Sequence, residues 1–382
     1  MPSSKASRKL EPRPRPNLRI LILNWRCPRN PRAGGAEALT FEVARRLVKS
    51  GSSVEWFAAS FPGAAAEETL DGIRFIRSGR QWSVHWHAYR RYRGFLRDRF
   101  DLVIDEVNTM PFFTPLWAGI PAVMLIFQLA REVWWYESPL PVSALGYAVE
   151  PLYLRAYRHT PVITISTSTQ QDLRRLGFRG PITIMPVGIE SVRAGPQTKA
   201  STPTFLYVGR LAPSKRIGHM IEALARFREA TGAGKLWLVG GGSPKYQRSL
   251  VELAKRLNVD KSVMFCGRVS ESEKHRLMAE AHALLMTSVR EGWGLVVTEA
   301  NACGTPAIVY DVPGLHDSVR NESTGLVVAP QPSSLCEGMV RMTSDRHLYD
   351  RLVQEGQRWS QTLSFDQAAQ TAKSALEAAV AA

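Results

Sequence analysis

The chain has 382 residues, more than one hydrophobic core organises, so about two domains of roughly 150–200 residues are expected. A hydrophobic share of 45% with 22% charged residues excludes wholesale disorder, collagen-like repeats and a chain lying mostly in a membrane. The formal net charge of +15 fits attraction of nucleic acid, anionic lipid headgroups or phosphorylated substrates, and equally a plain solvated basic surface.

Residues 1–17 carry +4, are rich in proline, and lead into no apolar stretch with a small-residue cleavage site. They are expected to form a flexible basic tail rather than a secretory signal. From residue 18 short apolar runs alternate with helical patterns. LRILIL (18–23) has the character of a buried parallel strand. The stretch 36–51 has helical periodicity and stops at Gly51, and 52–59 is the next strand. Further strands are expected at 101–105, 122–127, 162–166 and 182–186, with helices at the Arg-rich 84–99 and at TQQDLRRLGF. Between Arg74 and Arg99 eight arginines stand against Asp98 alone.

Residues 191–203 lose the apolar period and collect Pro, Gly, Ser and Thr, the mark of a linker. The alternation then restarts, with strands at 204–209, 235–240, 263–267, 283–288 and 306–310 and helices between them. A last helix covers 364–380. The pattern predicts an α/β protein with two similar doubly wound domains. The expected bounds are 18–190 for the first domain and 204–360 for the second, with 361–382 packing back on the first. Ligands of such sheets sit outside the carboxyl ends of the strands, so the cleft where two sets of ends face each other is the expected site.

Four cysteines (Cys27, Cys266, Cys303, Cys336) lie far apart without a CxxC pair, which indicates neither a disulfide framework nor a zinc ribbon and fits a reducing, cytoplasmic setting. No run of about 18 apolar residues is present for a spanning helix. His85 and His87, two apart on a helix, would diverge rather than share a metal. Ser166 and Ser168 follow a strand and precede a helix, where capping explains them.

The densest chemical signal is REGWGLVVTEANACGTPAIVYDVPGL, residues 290–315. Glu291 follows a strand in a loop with Gly292 and Gly294, and Glu299 stands eight positions on, inside the first turns of a helix. The free N–H groups of that helix start favour a phosphate, and carboxylates beside it suit sugar hydroxyls. In YVGRLAPSKR (207–216), Arg210 and Lys215 follow a strand five residues apart, a cation pair able to neutralise a departing diphosphate. RNPRAGGAEAL sets Gly34 and Gly35 at a helix start, and LVGGGSP (238–244) is a second glycine-rich turn after a strand.

Together these strings resemble retaining glycosyltransferases of family 4 with the GT-B fold, two Rossmann-like domains facing across a cleft. The resemblance implies that Glu291 meets the donor sugar and Glu299 the nucleotide ribose. It implies that Gly292, Trp293 and Gly294 form the turn whose following amides, Leu295 and Val296, hold the diphosphate. Arg210 and Lys215 would stabilise the leaving group, with Gly209, Gly240, Gly241, Arg268, Gly34 and Gly35 also lining the donor site. Asn108, Gln128, Arg131, Glu132 and Trp134 fall where the first domain would receive the acceptor. Many members place a histidine directly after the strand 122–127, whereas this sequence has Phe127 and then Gln128.

The activity so implied is transfer of a hexosyl unit, with retention, from a UDP- or GDP-sugar to a glycan or lipid-linked acceptor in cell-envelope or polysaccharide synthesis. The nucleotide sugar would be a co-substrate, with no cofactor and no metal required. The setting would be cytoplasmic, peripheral on the inner face of a membrane, with an anionic membrane surface as a partner and nucleic acid not one. Two other classes stay open on the residues. Phe127 and Gln128 admit a protein that binds a nucleotide sugar without turnover, and the +15 charge admits a nucleic-acid binder, although no DNA-binding motif backs it.

Overall fold

The computed structural model describes residues 17–190 and 198–382. The predicted tail, apart from Asn17, and residues 191–197 of the predicted linker lie outside the described residues. The chain forms two compact units: Met1–Glu106, Pro111–Leu125 and Ala369–Ala382 make the first, and Val107–Met110 with Ile126–Ala368 the second.

The first unit is built on β1 (Arg19–Leu23), β2 (Ser53–Ala58), β3 (Glu67–Leu70), β4 (Ile73–Arg77), β5 (Leu102–Glu106) and β6 (Ala122–Leu125). They stand in the order β3-β4-β2-β1-β5-β6, parallel except for the β3–β4 hairpin. Residues Ile20 to Leu23 are buried, which is why the central strand is one apolar run. Helix Gly35–Lys49 buries Leu39, Val43, Ala44 and Leu47, one face at helical spacing. The β3–β4 hairpin lies in a stretch where no strand was expected. The single helix expected over 84–99 is two, Val84–Tyr92 and Leu96–Arg99, parted at Gly94, a poor helix former.

The second unit contains β7 (Val162–Thr164) and β8 (Ile182–Ile184), a parallel pair. It also contains β9 (Thr204–Val208), β10 (Lys235–Val239), β11 (Val263–Gly267), β12 (Ala283–Met286), β13 (Ala307–Tyr310) and β14 (Gly325–Val328). These six form an all-parallel sheet in the order β11-β10-β9-β12-β13-β14. Its core packs Phe205, Tyr207, Ile221, Leu224, Phe227 and Ile308 between sheet and helices. The alternation read from the sequence is thus realised as parallel α/β sheets in both units. Helices Pro332–Ser344 and Arg346–Ser360, and the short strand β14, add to the elements expected. The stretch after β6, expected as a loop, holds the short helix Val133–Glu137 and helix Val142–Tyr153.

Candidate active site

Numbered by their own succession, the six strands of the second sheet run 3-2-1-4-5-6, with chain direction reversing between β9 and β12. In such sheets the ligand crevice opens outside the carboxyl ends of the two strands at the reversal. The loops that leave those two ends carry Arg210 and Lys215 on one side and Glu291 to Gly294 on the other.

The two loops are fastened to each other. Thr287 Oγ1 donates to the carbonyls of Lys215 at 2.7 Å and Arg216 at 3.1 Å, and Val289 N donates to Ser214 O at 2.9 Å. Arg216 is held with φ 48°, a left-handed conformation that a non-glycine residue keeps only under such restraint. The result brings Lys215 Nζ onto Glu291 Oε1, which also accepts from Ser288 Oγ at 2.7 Å. Both side chains are mostly shielded, so their charges act on a ligand with little screening by water. Glu291 N donates to Pro313 O at 3.0 Å, and Gly314 packs on the Glu291 carbonyl.

Helix Leu295–Ala302 starts immediately afterwards, with Gly294 as its N-cap. Gly294 has no side chain to occupy the free amides, which remain available for an anion. Glu299, one turn in, has Lys274 Nζ 2.8 Å from its Oε2. Burial pulls the Lys274 ammonium down, but Glu299 and Glu271 outweigh it and hold its pKa above the ordinary lysine value. Trp293 tilts against Trp359 with ring centroids 6.1 Å apart.

Gly209, Gly240, Gly241 and Arg268 are brought together by main-chain bonds among the loops after β9, β10 and β11. Gly209 N donates to Val239 O at 2.9 Å, Gly240 N to Gly267 O at 2.7 Å, and Leu211 N to Gly241 O at 2.8 Å. The exposed Arg268 side chain lies beside Gly241.

On the acceptor side, Gly292 runs so close to Phe127 that a Cβ at 292 would stand 3.0 Å from the Phe127 carbonyl. The next residue, Gln128, keeps its Oε1 buried without a hydrogen-bond partner among the described residues. Glu132 accepts from Arg290 Nε at 2.9 Å, and Arg290 Nη1 donates to Asp172 at 2.6 Å. Burial pushes the Glu132 pKa up, yet the hydrogen bond and charge of Arg290 prevail and hold it below the usual carboxylate range. Arg131 is turned away onto Tyr147, with its guanidinium 4.1 Å from the ring centroid and Nη1 donating to Tyr147 O at 3.2 Å. Glu150 accepts from the amides of Ala130 and Arg131 at 2.6 and 2.7 Å. Trp134 packs on Gly146, and Asn108 forms a bridge with Met110.

Gly34 and Gly35 belong to the first unit, at the start of helix Gly35–Lys49. Gly34 N donates to Glu37 Oε2 at 2.7 Å, and Arg26 Nε donates to Glu37 Oε1 at 2.9 Å. Glu106, at the end of β5, is buried in the same unit. Its pKa is pushed up to about 8 by burial and by the charge of Glu37, which outweigh Thr40 and Asn24.

Four residues that the sequence reading passed over touch the site: Glu137, Ser288, Lys274 and Arg290. Glu137 Oε2 takes a hydrogen bond from Arg210 Nη1 at 2.9 Å, while its Oε1 takes one from Ser214 Oγ at 2.5 Å. Each pairing except Ser288 with Glu291 joins segments distant in the chain, and only proximity to REGWG marked Ser288 and Arg290. Ser166 caps helix Thr167–Arg175 as expected, with Thr169 N donating to its Oγ at 3.3 Å. Among the described residues no group of three or more His, Cys, Asp or Glu is placed to hold a metal ion. No helix there is long and apolar enough to cross a membrane.

Comparison with known proteins agrees with this geometry. The family model described as Glycosyltransferase Family 4 matches residues 33–193, and that described as Glycosyl transferases group 1 matches 189–359. The chain is 29% identical over 364 residues to glycogen synthase of Mycobacterium tuberculosis, covering 86% of each. Sucrose-phosphate synthase of Thermosynechococcus elongatus shares the fold with a TM-score of 0.76 at 22% identity, covering 92% of this chain and 96% of that one. The Anabaena protein Alr3699/HepE, solved in complex with UDP and glucose, does so with a TM-score of 0.72 at 18% identity, covering 94% and 100%.

Proposed function

The chain belongs to the glycosyltransferases of GT-B fold, enzymes that use nucleotide sugars, and from that premise we propose a retaining hexosyltransferase. It takes a UDP- or GDP-sugar and passes the hexose to a glycan or lipid-linked acceptor in cell-envelope or polysaccharide synthesis, working in the cytoplasm. The observation that carries this reading is the convergence of Lys215, Glu291 and the uncapped start of helix Leu295–Ala302 at the carboxyl end of β12.

In this reading the bond between the anomeric carbon and the diphosphate oxygen breaks, and the electron pair leaves with the diphosphate. Arg210, Lys215 and the amides of Leu295 and Val296 offset the charge that grows there. The transition state is oxocarbenium-like, as in glycosyl transfer generally. The acceptor oxygen bonds to the same face, and its proton passes to the leaving phosphate oxygen. Glu291 accepts from hydroxyls of the hexose and Glu299 from those of the ribose, with Lys274 keeping Glu299 ionised for that task. Gly34, Gly35, Gly209, Gly240, Gly241 and Arg268 complete the donor site, and Asn108, Gln128, Glu132 and Trp134 receive the acceptor. Fixed cations take the place of a metal.

Thermal-shift screening with UDP-, GDP- and ADP-sugars identifies the donor. The anomeric configuration of the product, read by NMR, then tests retention. Glu291→Ala and Lys215→Ala should each abolish transfer while leaving the protein folded; full activity in either variant refutes the assignment. Donor binding with no transfer to any acceptor would favour a binding protein without turnover.

A further inference from the structure

We propose that the first unit docks on a bilayer surface containing anionic lipid. The docking face consists of helix Val84–Tyr92 and the turn around Leu116. This does not depend on the identity of the donor or the acceptor.

The helix divides into two unlike faces. Val84, Ala88 and Tyr92 are buried against the sheet at helical spacing. On the other side Trp86 is 57% exposed, and Trp82 just before the helix is 74% exposed. The apolar surface continues beyond the helix. Trp86 stacks on Tyr89 with centroids 5.5 Å apart, and Tyr89 meets Trp117 edge-on at 5.6 Å. Next to Trp117, Leu116 is 71% exposed. Two segments of chain thus build one exposed aromatic and aliphatic surface, which a solvated face would not need.

Its charge is sorted as well. Arg91 lies 3.6 Å from Glu67 and Arg99 lies 3.3 Å from Glu55, so those arginines are paired. Arg90, Arg93 and Arg97 take part in no ion pair among the described residues. The Arg93 guanidinium lies 5.1 Å from the Tyr89 ring centroid, and Arg97 Nε donates to Gly119 O at 2.8 Å. Unpaired arginines interleaved with indole and phenol rings match the headgroup boundary of a membrane, where rings enter the apolar edge and guanidinium groups meet phosphate. Nucleic acid would use the arginines and stack on the rings, but gives the exposed Leu116 nothing to bury against.

The test is co-sedimentation of the full chain with vesicles of phosphatidylcholine mixed with phosphatidylglycerol, against phosphatidylcholine alone. Binding should be confined to the anionic vesicles and weaken with salt. Arg90→Gln with Arg93→Gln should lower the partition coefficient about 30-fold. Trp86→Ser with Leu116→Ser, at unchanged charge, should lower it roughly tenfold. In the unaltered chain, brominated phosphatidylglycerol should quench tryptophan fluorescence. Equal partition onto both vesicle types, absence of quenching, or full binding by both double variants would overturn the proposal. So would a self-associated form dispersed by Trp86→Ser, or tight duplex binding, in a chain that binds no vesicle.

Discussion

The carboxylate of Glu137 is clasped between Arg210 and Ser214, 2.9 Å from Arg210 Nη1 and 2.5 Å from Ser214 Oγ. An internal anion therefore sits on the guanidinium that would receive the donor diphosphate, and the donor must displace it. Arg210 is 62% exposed, which limits such a pair to roughly 0.2–1 kcal/mol. Glu137→Gln should accordingly tighten nucleoside diphosphate binding about two- to fivefold, measured by isothermal titration calorimetry. Weaker binding in the variant would mean that Glu137 supports the site instead of occupying it.

Gly314 sets the position of Glu291 from behind. Its φ is 84°, and a methyl group there would stand 1.9 Å from the Glu291 carbonyl oxygen, a backbone atom that cannot rotate aside. Gly314→Ala must move the Glu291 loop or the 313–315 turn. A loss of about 2 kcal/mol or more in stability is expected, from backbone strain and the collision together. Donor affinity should fall with it. Urea unfolding and titration with nucleoside diphosphate check both, and unchanged donor affinity would show that Glu291 does not depend on this contact.

Much of the fold can be read from the sequence because parallel strands buried on both faces are short apolar runs, as at Ile20–Leu23 and Phe205–Val208. The Lys215 and Glu291 loops are legible for a related reason: each directly follows such a run. The β3–β4 hairpin is harder to see, since β3 is largely exposed and lacks an apolar pattern. Its one clear mark is Asp71-Gly72, with φ 51° and 79°, the positive angles a two-residue hairpin turn needs. The charge pairs of the site, Glu137 with Arg210, Lys274 with Glu299 and Arg290 with Glu132, join residues far apart in the chain. No local periodicity encodes them, so they become visible only when the sheet brings the loops together.

Glu106 supplies a pH test in the first unit. Its carboxyl has a folded pKa of about 8 against an ordinary value of 4.5. The folded chain therefore holds an extra proton between those values, and stability falls as pH rises through that window. Glu106→Gln removes the ionisation. It should leave stability little changed below pH 4.5, and raise it above pH 8 by on the order of 3 kcal/mol. Urea denaturation of both proteins across this range gives the comparison. A constant difference at all pH values would assign the effect to packing rather than ionisation.

Gln128 separates a functional role from a structural one. A buried amide oxygen without a partner costs stability, so a residue kept only for packing should be apolar there. If the acceptor or the donor hexose supplies the missing donor group, Gln128→Leu should raise the folded protein's stability by about 1 kcal/mol while lowering turnover about tenfold. Melting curves and initial rates at saturating and limiting acceptor measure the two effects. A fall in stability with full activity would show that Gln128 is held by the protein alone, and would remove it from the substrate-binding set.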